Sequence, residues 1–289
     1  MPPGGDLPAD TSVKWLQPTG GGTVSVKTAP ADIDSASNLI SIFGSANSGK
    51  STIMNHLSET TAFPRQGGTK GCDVTPTLCQ LPGCSSSLAF ADTEGIGSNG
   101  GHDFDVMLFT PLMLSSSVTL FNWKGGFKKN DILNMMSIVI DATDKMDVGN
   151  AQEMVGGHLH ILLRDSAPSE RLQDMLLTQE NEPGSERRDD IREQLKVSFA
   201  SVTVWGIPAP LDSASALQSS FDLSECKADY QKQVNSLRSS IIKQVAAPKL
   251  FGSAALRPGN LFDAATEVIT ELNNGAVMTP LDQIREKLR

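Results

Sequence analysis

Residues 43–52, FGSANSGKST, have a pattern that is typical of phosphate binding. Gly44, four further residues and then Gly49-Lys50-Ser51 fit the loop G-x-x-x-x-G-K-[ST]. Glycines let the backbone curl so that successive N–H groups point at phosphate oxygens, and the following helix offers its positive end to the same anion. In such a loop the lysine reaches the β- and γ-phosphates, and the serine hydroxyl ligates Mg²⁺. The stretch therefore predicts a nucleoside triphosphate site.

Two segments after this loop could complete a magnesium site. Asp92-Thr93-Glu94-Gly95 ends an apolar run, and Asp92 follows Lys50 by 92 − 50 = 42 residues. An aspartate there can hold the Mg²⁺ shell, and the Gly95 N–H can contact a γ-phosphate. Thr69, in the polar loop between the two motifs, can ligate Mg²⁺ while triphosphate is bound. We expect Ser51, Thr69 and Asp92 to form the site; an ordinary acidic turn at residues 92–95 is the alternative.

The element that would recognise the base is less regular. The common guanine motif [NT]-K-x-D does not occur at a suitable position, because DKMD at 144–147 lacks the leading residue. Arg164-Asp165 directly follows the apolar run HLHILL. A carboxylate at the end of such a strand can accept both N1–H and N2–H₂ of guanine, a donor pair that adenine does not present. The alternative is an ion pair at the end of a strand.

Composition limits the class of protein. The 289 residues carry a net charge of −9, and the sequence pI is about 4.9, which argues against a nucleic-acid-binding surface. Four cysteines without paired C-x-x-C spacing make zinc unsupported and indicate reduced thiols. The polar first twelve residues predict a disordered leader, and no apolar run approaches the roughly 18 residues of a membrane span. We expect a cytoplasmic protein whose membrane contact, if any, depends on regions outside this chain.

The elements predicted around these motifs alternate between strands and helices. That order predicts an α/β fold with a mainly parallel central sheet, helices on both faces and an N-terminal β-hairpin. Asp222 with Glu225 resembles a capping box at the start of a long helix. Strands are predicted at 13–17, 23–26, 39–43, 75–81, 86–92, 117–123, 158–163 and 202–207. Helices are predicted after the phosphate loop and at 131–146, 184–199, 224–247 and 260–273.

The order GxxxxGKST, TKG, DTEG, LRD resembles the guanylate-binding protein and atlastin family of dynamin-superfamily large GTPases, which uses an Arg-Asp pair in place of [NT]-K-x-D. The separation 165 − 92 = 73 residues is close to that of atlastin-like members. SSSVTLFNWKG at 115–125 and the segment 260–280 are similar to family elements, and KSTIMNHL at 50–57 resembles the root-hair-defective branch. The resemblance implies a P-loop GTPase G domain over 13–277 and the start of a C-terminal helical domain at 278–289.

The resemblance also implies a role for each matching residue. GTP or GDP with Mg²⁺ would be the ligands, Glu94 and Thr69 would position the attacking water, and the G domain would form a nucleotide-dependent homodimer. Membrane remodelling or assembly would be the coupled process. Phosphate contacts are implied for Asn47, Ser48, Gly49, Lys50, Ser51, Thr52 and Gly95. Guanine contacts are implied for Arg164, Asp165, Ile207 and Pro208, the last two within WGIPAP at 205–210.

One position departs from the family pattern. The family has an arginine finger as the fourth residue of G-x-x-R-x-G-K-S, and here that residue is Asn47. Asparagine cannot neutralise charge, and an arginine finger is worth about 10³- to 10⁵-fold in turnover, so we expect slow hydrolysis. Arg65 could substitute, or it could be a solvated loop charge. Two alternatives stay open: a GTP-binding scaffold with little hydrolysis, and a P-loop ATPase.

Overall fold

The computed structural model describes residues 11–19, 23–27, 36–64, 68–98, 101–145, 156–212, 221–247, 250–251, 254–255 and 260–275. Most of the predicted leader, Arg65 and the predicted start of a helical domain at 278–289 lie outside these residues. The predicted domain limits therefore stay predictions.

An eight-stranded sheet forms the centre of the fold. Its strands are β1 Val13–Thr19, β2 Thr23–Val26, β3 Asn38–Gly44, β4 Cys72–Val74, β5 Leu88–Thr93, β6 Val118–Lys124, β7 Gly156–Arg164 and β8 Phe199–Ile207. Their order is β2-β1-β4-β5-β3-β6-β7-β8. Five neighbouring strands, β5, β3, β6, β7 and β8, are parallel to one another. Strands β2, β1 and β4 pair antiparallel at the β5 side of the sheet. A separate two-stranded pair consists of β9 Leu250–Phe251 and β10 Ala254–Ala255.

Helices cover both faces of this sheet, which confirms the predicted fold class. They are α1 Lys50–Ser58, α2 Gly101–Ser115, α3 Lys129–Met136, α4 Ile138–Asp144, α5 Arg171–Leu177, α6 Glu186–Ser198, α7 Ala228–Gln244 and α8 Asn260–Asn273. Successive strand residues point to opposite faces, so Leu120 packs with α1 and α7 while Phe121 packs with α2, α3 and α6. Across the described residues, no helix combines the length and the apolar character that crossing a membrane requires.

The predicted strand at 75–81 is wrong. The strand that pairs with β5 is β4, three residues earlier, and within 75–81 only Cys79 makes an isolated bridge, to Leu88. Pro76 supplies a physical reason, because a proline has no N–H to donate to a ladder.

Two predicted helices have different limits in the structure. The segment 131–146 divides into α3 and α4 at Ser137, whose hydroxyl donates to the Asn134 carbonyl oxygen at 2.8 Å and so competes with the helical ladder. The capping box of Asp222 and Glu225 is present, but it caps a short 3₁₀ turn, Leu223–Glu225, and α7 begins only at Ala228. The sequence does not predict helix α2, because its residues are apolar on nearly all sides and show no helical periodicity of apolar and polar positions.

His160 of β7 is fully buried and uses both ring nitrogens. The Trp205 indole N–H donates to its Nδ1 at 2.8 Å, and its Nε2 lies 2.7 Å from the Gln244 Oε1. Nδ1 is therefore the acceptor and Nε2–H the donor, which is a neutral imidazole. Burial lowers the pKa of His160 from 6.5 to about 4.

Acidification is expected to cost stability through His160. Because the folded-state pKa lies below the unfolded one, the unfolded chain takes up the proton first. This contribution to the free energy of unfolding is present above pH 6.5 and is lost as the pH falls to about 4, where the loss amounts to about 3 kcal/mol. Denaturant unfolding between pH 7 and 4 should show His160→Gln with a shallower slope than the unsubstituted chain. Equal slopes for His160→Gln and the unsubstituted chain would contradict the assignment.

Candidate functional site

The candidate site is a cleft at the carboxyl ends of β3 and β5, where ligands bind in open α/β sheets. Its volume is about 610 Å³. The lining consists of the phosphate loop 46–52, Pro64, residues 68–70, residues 93–95 and Ser98. All three segments that the sequence predicts for phosphate and magnesium therefore meet in one cavity.

The phosphate loop runs from the end of β3 into the first turn of α1. Gly49 is the N-cap of α1 at φ 83°, and no side chain caps the helix. The first N–H groups of Lys50, Ser51 and Thr52 have no partner within the helix and are available to an anion. Asn47 adopts φ 55°, a conformation that asparagine tolerates better than most residues, and its side chain is exposed in the cleft. The predicted phosphate loop is thus present in the expected place.

Lys50 is held close to the loop that it follows. Its Nζ donates to the carbonyl oxygens of Ser45 at 3.1 Å and Gly44 at 3.4 Å, and only 7% of the residue is exposed. Burial lowers the pKa of Lys50, and the carboxylates of Asp92 and Glu94 partly oppose that shift. Carbonyl oxygens are weak partners for a buried ammonium, so a phosphate would be a better one.

The three predicted magnesium ligands converge. Ser51 Oγ and Thr69 Oγ1 each donate to Asp92 Oδ2 at 2.7 Å, although they lie 41 and 23 residues away from it in the chain. Burial raises the pKa of Asp92, and the two hydroxyl donors oppose the rise. Its other oxygen, Oδ1, is buried with no hydrogen-bond partner among the described residues. Hard oxygen donors around an incompletely satisfied carboxylate fit Mg²⁺.

Glu94 makes hydrogen bonds to the Thr69 loop, which is the segment of residues 68–71 before β4. Its carboxylate accepts from the Gly71 N–H at 2.6 Å, and its own N–H donates to the Gly71 carbonyl oxygen at 2.8 Å. Only 3% of Glu94 is exposed. Beside it, a Cβ at Gly95 would lie 2.4 Å from the Cα of Ala46, so only glycine lets this turn approach the phosphate loop. The geometry gives Glu94 a supporting contact, and its role in positioning water stays a prediction.

The predicted guanine residues lie at the end of β7 but outside the cleft lining. Arg164 is buried and donates from Nη1 to the Gly49 carbonyl oxygen at 3.3 Å. Its Cζ lies 5.9 Å from the centroid of the Tyr230 ring. Asp165 adopts φ 56° with its side chain 43% exposed, 3.8 Å from Lys124 Nζ. The two side chains therefore diverge: Arg164 contacts the phosphate loop, and Asp165 is left at the surface.

The predicted cap residues Ile207 and Pro208 are both buried. The Ile207 side chain belongs to the core cluster with α1 and α7, and its carbonyl oxygen accepts from the Ser166 N–H at 3.2 Å. In this arrangement the side chain of Ile207 does not face the cleft, so contact with a base would fall to the backbone. Their guanine role stays a prediction.

Asn122 supports the phosphate loop and has no role in the sequence-based site. It is fully buried in β6, two residues before the strand ends, and donates from Nδ2 to the Ser48 carbonyl oxygen at 2.8 Å and the Ser48 hydroxyl at 3.0 Å. Ser48 Oγ in turn donates to the Ser45 carbonyl oxygen at 2.8 Å. The only sequence signal was its place in the segment 115–125, because the contact spans 74 residues.

Asn122→Ala is expected to weaken GDP binding about tenfold, because it leaves the buried Ser48 carbonyl oxygen without its donor and loosens the loop. Titration calorimetry measures the change. Thr119→Val is the matched control on the same strand, since the Thr119 hydroxyl is buried without a partner among the described residues. Equal affinity in all three proteins would show that Asn122 does not position the loop.

A family model described as 50S ribosome-binding GTPase matches residues 39–159. The matched span includes the phosphate loop, Thr69 and Asp92, and it ends before Arg164. A search among curated proteins finds no match. The match and the fold together support a P-loop GTPase, which implies binding of GTP and GDP.

Proposed function

We propose that this chain binds GTP through its phosphate loop and hydrolyses it to GDP and phosphate with Mg²⁺. The observation that carries the proposal is the convergence of Ser51 and Thr69 on Asp92 beside Lys50. A phosphate loop alone is common to several classes of enzyme. Its combination with a threonine from a separate loop and an aspartate at a strand end is the arrangement in which a nucleotide-dependent switch ligates its metal.

The residues would divide the work as follows. Lys50 and the N–H groups of residues 47–52 bind the phosphates. Ser51 and Thr69 ligate Mg²⁺, and Asp92 lies next to both of these residues. When bound, Mg²⁺ neutralises charge on the phosphate oxygens. Thr69 orients the water that attacks the γ-phosphorus as the bond to the bridging oxygen breaks. Glu94 assists by holding the Thr69 loop in place.

Asp165 would select the base, and Arg164 would position it. The Asp165 carboxylate is free to accept from N1–H and N2–H₂ of guanine because its present ion pair with Lys124 is long and exposed. Arg164 ties the same turn to the phosphate loop at Gly49, so that base and phosphates are held at a fixed separation. Ile207 and Pro208 would close the base site through their backbone.

The finer family proposal is a guanylate-binding protein or atlastin type of G domain that forms a nucleotide-dependent homodimer in the cytoplasm, contacts membranes only through other regions, and drives remodelling or assembly. It depends on Arg164-Asp165 and on the order of the motifs. A GTP-binding scaffold is the second candidate, favoured by Asn47, whose neutral amide stands where an arginine finger would act. Turnover with potassium and with sodium separates them: measurable hydrolysis with either ion favours the enzyme, and none with both favours the scaffold.

Titration calorimetry of GDP against ADP in the presence of Mg²⁺ is the direct test. Diphosphates remove hydrolysis from the experiment, so the result depends on base recognition and phosphate binding alone. Tight GDP binding with no detectable ADP binding is expected. Equal binding, or a preference for ADP, would overturn the proposal and favour a P-loop ATPase in which Arg164-Asp165 is only structural.

A further inference from the structure

We propose that Lys14, on the first strand of the N-terminal hairpin, is a positioning residue. It holds the Thr69 loop so that the Thr69 hydroxyl faces the magnesium site. This inference rests on the proposed function, because it assigns Lys14 to the ligand set of Ser51, Thr69 and Asp92. Lys14 is distant from that set in sequence, and within the described residues it makes no hydrogen bond or ion pair with any of its three members. It acts through the residue that follows Thr69.

Two contacts of the Lys14 ammonium carry the argument. Its Nζ donates to the carbonyl oxygen of Lys70 at 2.6 Å, one residue after Thr69. The same ammonium forms an ion pair with Asp73, whose side chain is only 10% exposed. Asp73 of β4 is paired in register with Asp92 of β5, so the carboxylate that Lys14 neutralises belongs to the residue directly opposite the predicted magnesium residue. The Lys14 side chain thus contacts the residue before Gly71 and, two residues after Gly71, Asp73 of β4.

The backbone of β1 also packs directly against the Thr69 loop. Gly71 adopts φ 70°, and a Cβ there would lie 2.1 Å from the Leu16 carbonyl oxygen, which shows how closely the loop packs on the strand. From the other side, Glu94 makes its two hydrogen bonds with Gly71. The loop is held between β1 and β5, and Lys14 is the charged part of that hold. A metal site needs its ligands within about 0.5 Å of the productive geometry, which such a clamp can maintain.

The hairpin that carries Lys14 is itself anchored to the end of α8. Asn273 accepts from the Val24 N–H at 3.1 Å and donates to the Val24 carbonyl oxygen at 2.7 Å, as a neighbouring strand would. On β1, Trp15 packs edge-on against Phe262 with the ring centroids 4.8 Å apart. Because β2 and β1 are also paired in register, Lys14 projects from a rigid support rather than from a free edge.

The test compares three variants. Lys14→Met keeps the aliphatic stem and removes the charge and donor; Lys14→Arg restores both. Lys27→Met is the matched control, at an exposed lysine directly after β2, the other strand of the hairpin. Amide hydrogen exchange over residues 68–74 is measured in the ligand-free protein. The Mg²⁺ concentration for half-maximal GTP turnover and the GDP affinity in EDTA are measured separately.

Lys14→Met is expected to speed exchange at Gly71 and Cys72 about tenfold and to raise the Mg²⁺ requirement about tenfold, since a hydrogen bond to a charged group is lost. GDP affinity in EDTA should not change, because no phosphate contact is removed. Lys14→Arg should recover both values, and Lys27→Met should match the unsubstituted chain.

Unchanged exchange and an unchanged Mg²⁺ requirement in Lys14→Met would overturn the inference. So would an equal effect of Lys27→Met, or a loss of GDP affinity in EDTA as large as the loss of magnesium response, since either indicates general destabilisation. If Lys14→Met does not fold, Lys14→Arg with normal exchange and a normal Mg²⁺ requirement supports the inference, and Lys14→Arg with both raised overturns it. Failure of the proposed function is distinguishable, because the unsubstituted chain would then not bind GDP, whereas the exchange comparison still reports on the clamp.

Discussion

Replacing Asp165 with asparagine is expected to lower the affinity for GDP by about 10²- to 10³-fold and to create affinity for xanthosine diphosphate. A carboxylate accepts both N1–H and N2–H₂ of guanine. An amide cannot accept from both, but its NH₂ can donate to the oxygen that xanthine carries in place of the guanine amino group. Calorimetric titration of the variant with GDP, ADP and xanthosine diphosphate measures the exchange of specificity.

Lys124→Met is the control for this experiment. Asp165 is paired with Lys124 at 3.8 Å, so a loss of affinity in Asp165→Asn could come from breaking that ion pair. Both side chains are about half exposed, and an exposed ion pair contributes little, so Lys124→Met should bind GDP nearly as the unsubstituted chain does. If Lys124→Met reproduces the loss, or if Asp165→Asn gains no affinity for the xanthine nucleotide, Asp165 does not recognise the base.

Lys50→Met is expected to have opposite effects on binding and on stability. Binding of GDP should weaken by about 10²- to 10³-fold, because phosphate then lies in a buried cleft without its cation. In the absence of nucleotide the variant should be at least as stable as the unsubstituted chain, since the burial that lowers the pKa of Lys50 penalises its charged form. Calorimetry with GDP and thermal unfolding of the free protein measure the two effects.

Lys70→Met provides the comparison within the same cleft. Lys70 also lines the cavity, but its side chain is exposed at the rim. Removing an exposed charge should change GDP affinity by no more than about fivefold. If Lys50→Met unfolds, or if Lys70→Met costs as much affinity as Lys50→Met, the specific role of Lys50 would be contradicted.

The sequence alone determined the parts of this protein that depend on neighbouring residues. The phosphate loop, the strand before it and the helix after it follow from about twenty consecutive residues, and their order is what the structure has. Helices α6 and α8 were also predicted from their own residues, and the structure has them at Glu186–Ser198 and Asn260–Asn273. The proximity of Ser51, Thr69 and Asp92 was also predictable, because each residue belongs to a short motif; their role as a magnesium site stays a prediction.

Tertiary structure decided what depends on the order of strands in the sheet. Strand β4, rather than residues 75–81, pairs with β5, because Pro76 has no N–H with which to continue the ladder after Thr75. Arg164 contacts Gly49 across 115 residues, and Asn122 contacts Ser48 across 74. No local pattern records such separations, since they exist only after β6 and β7 have taken their places beside β3. The clamp of Lys14 on the Thr69 loop is of the same kind: an exposed-looking lysine in a short strand gains its role when the sheet places β1 against β4.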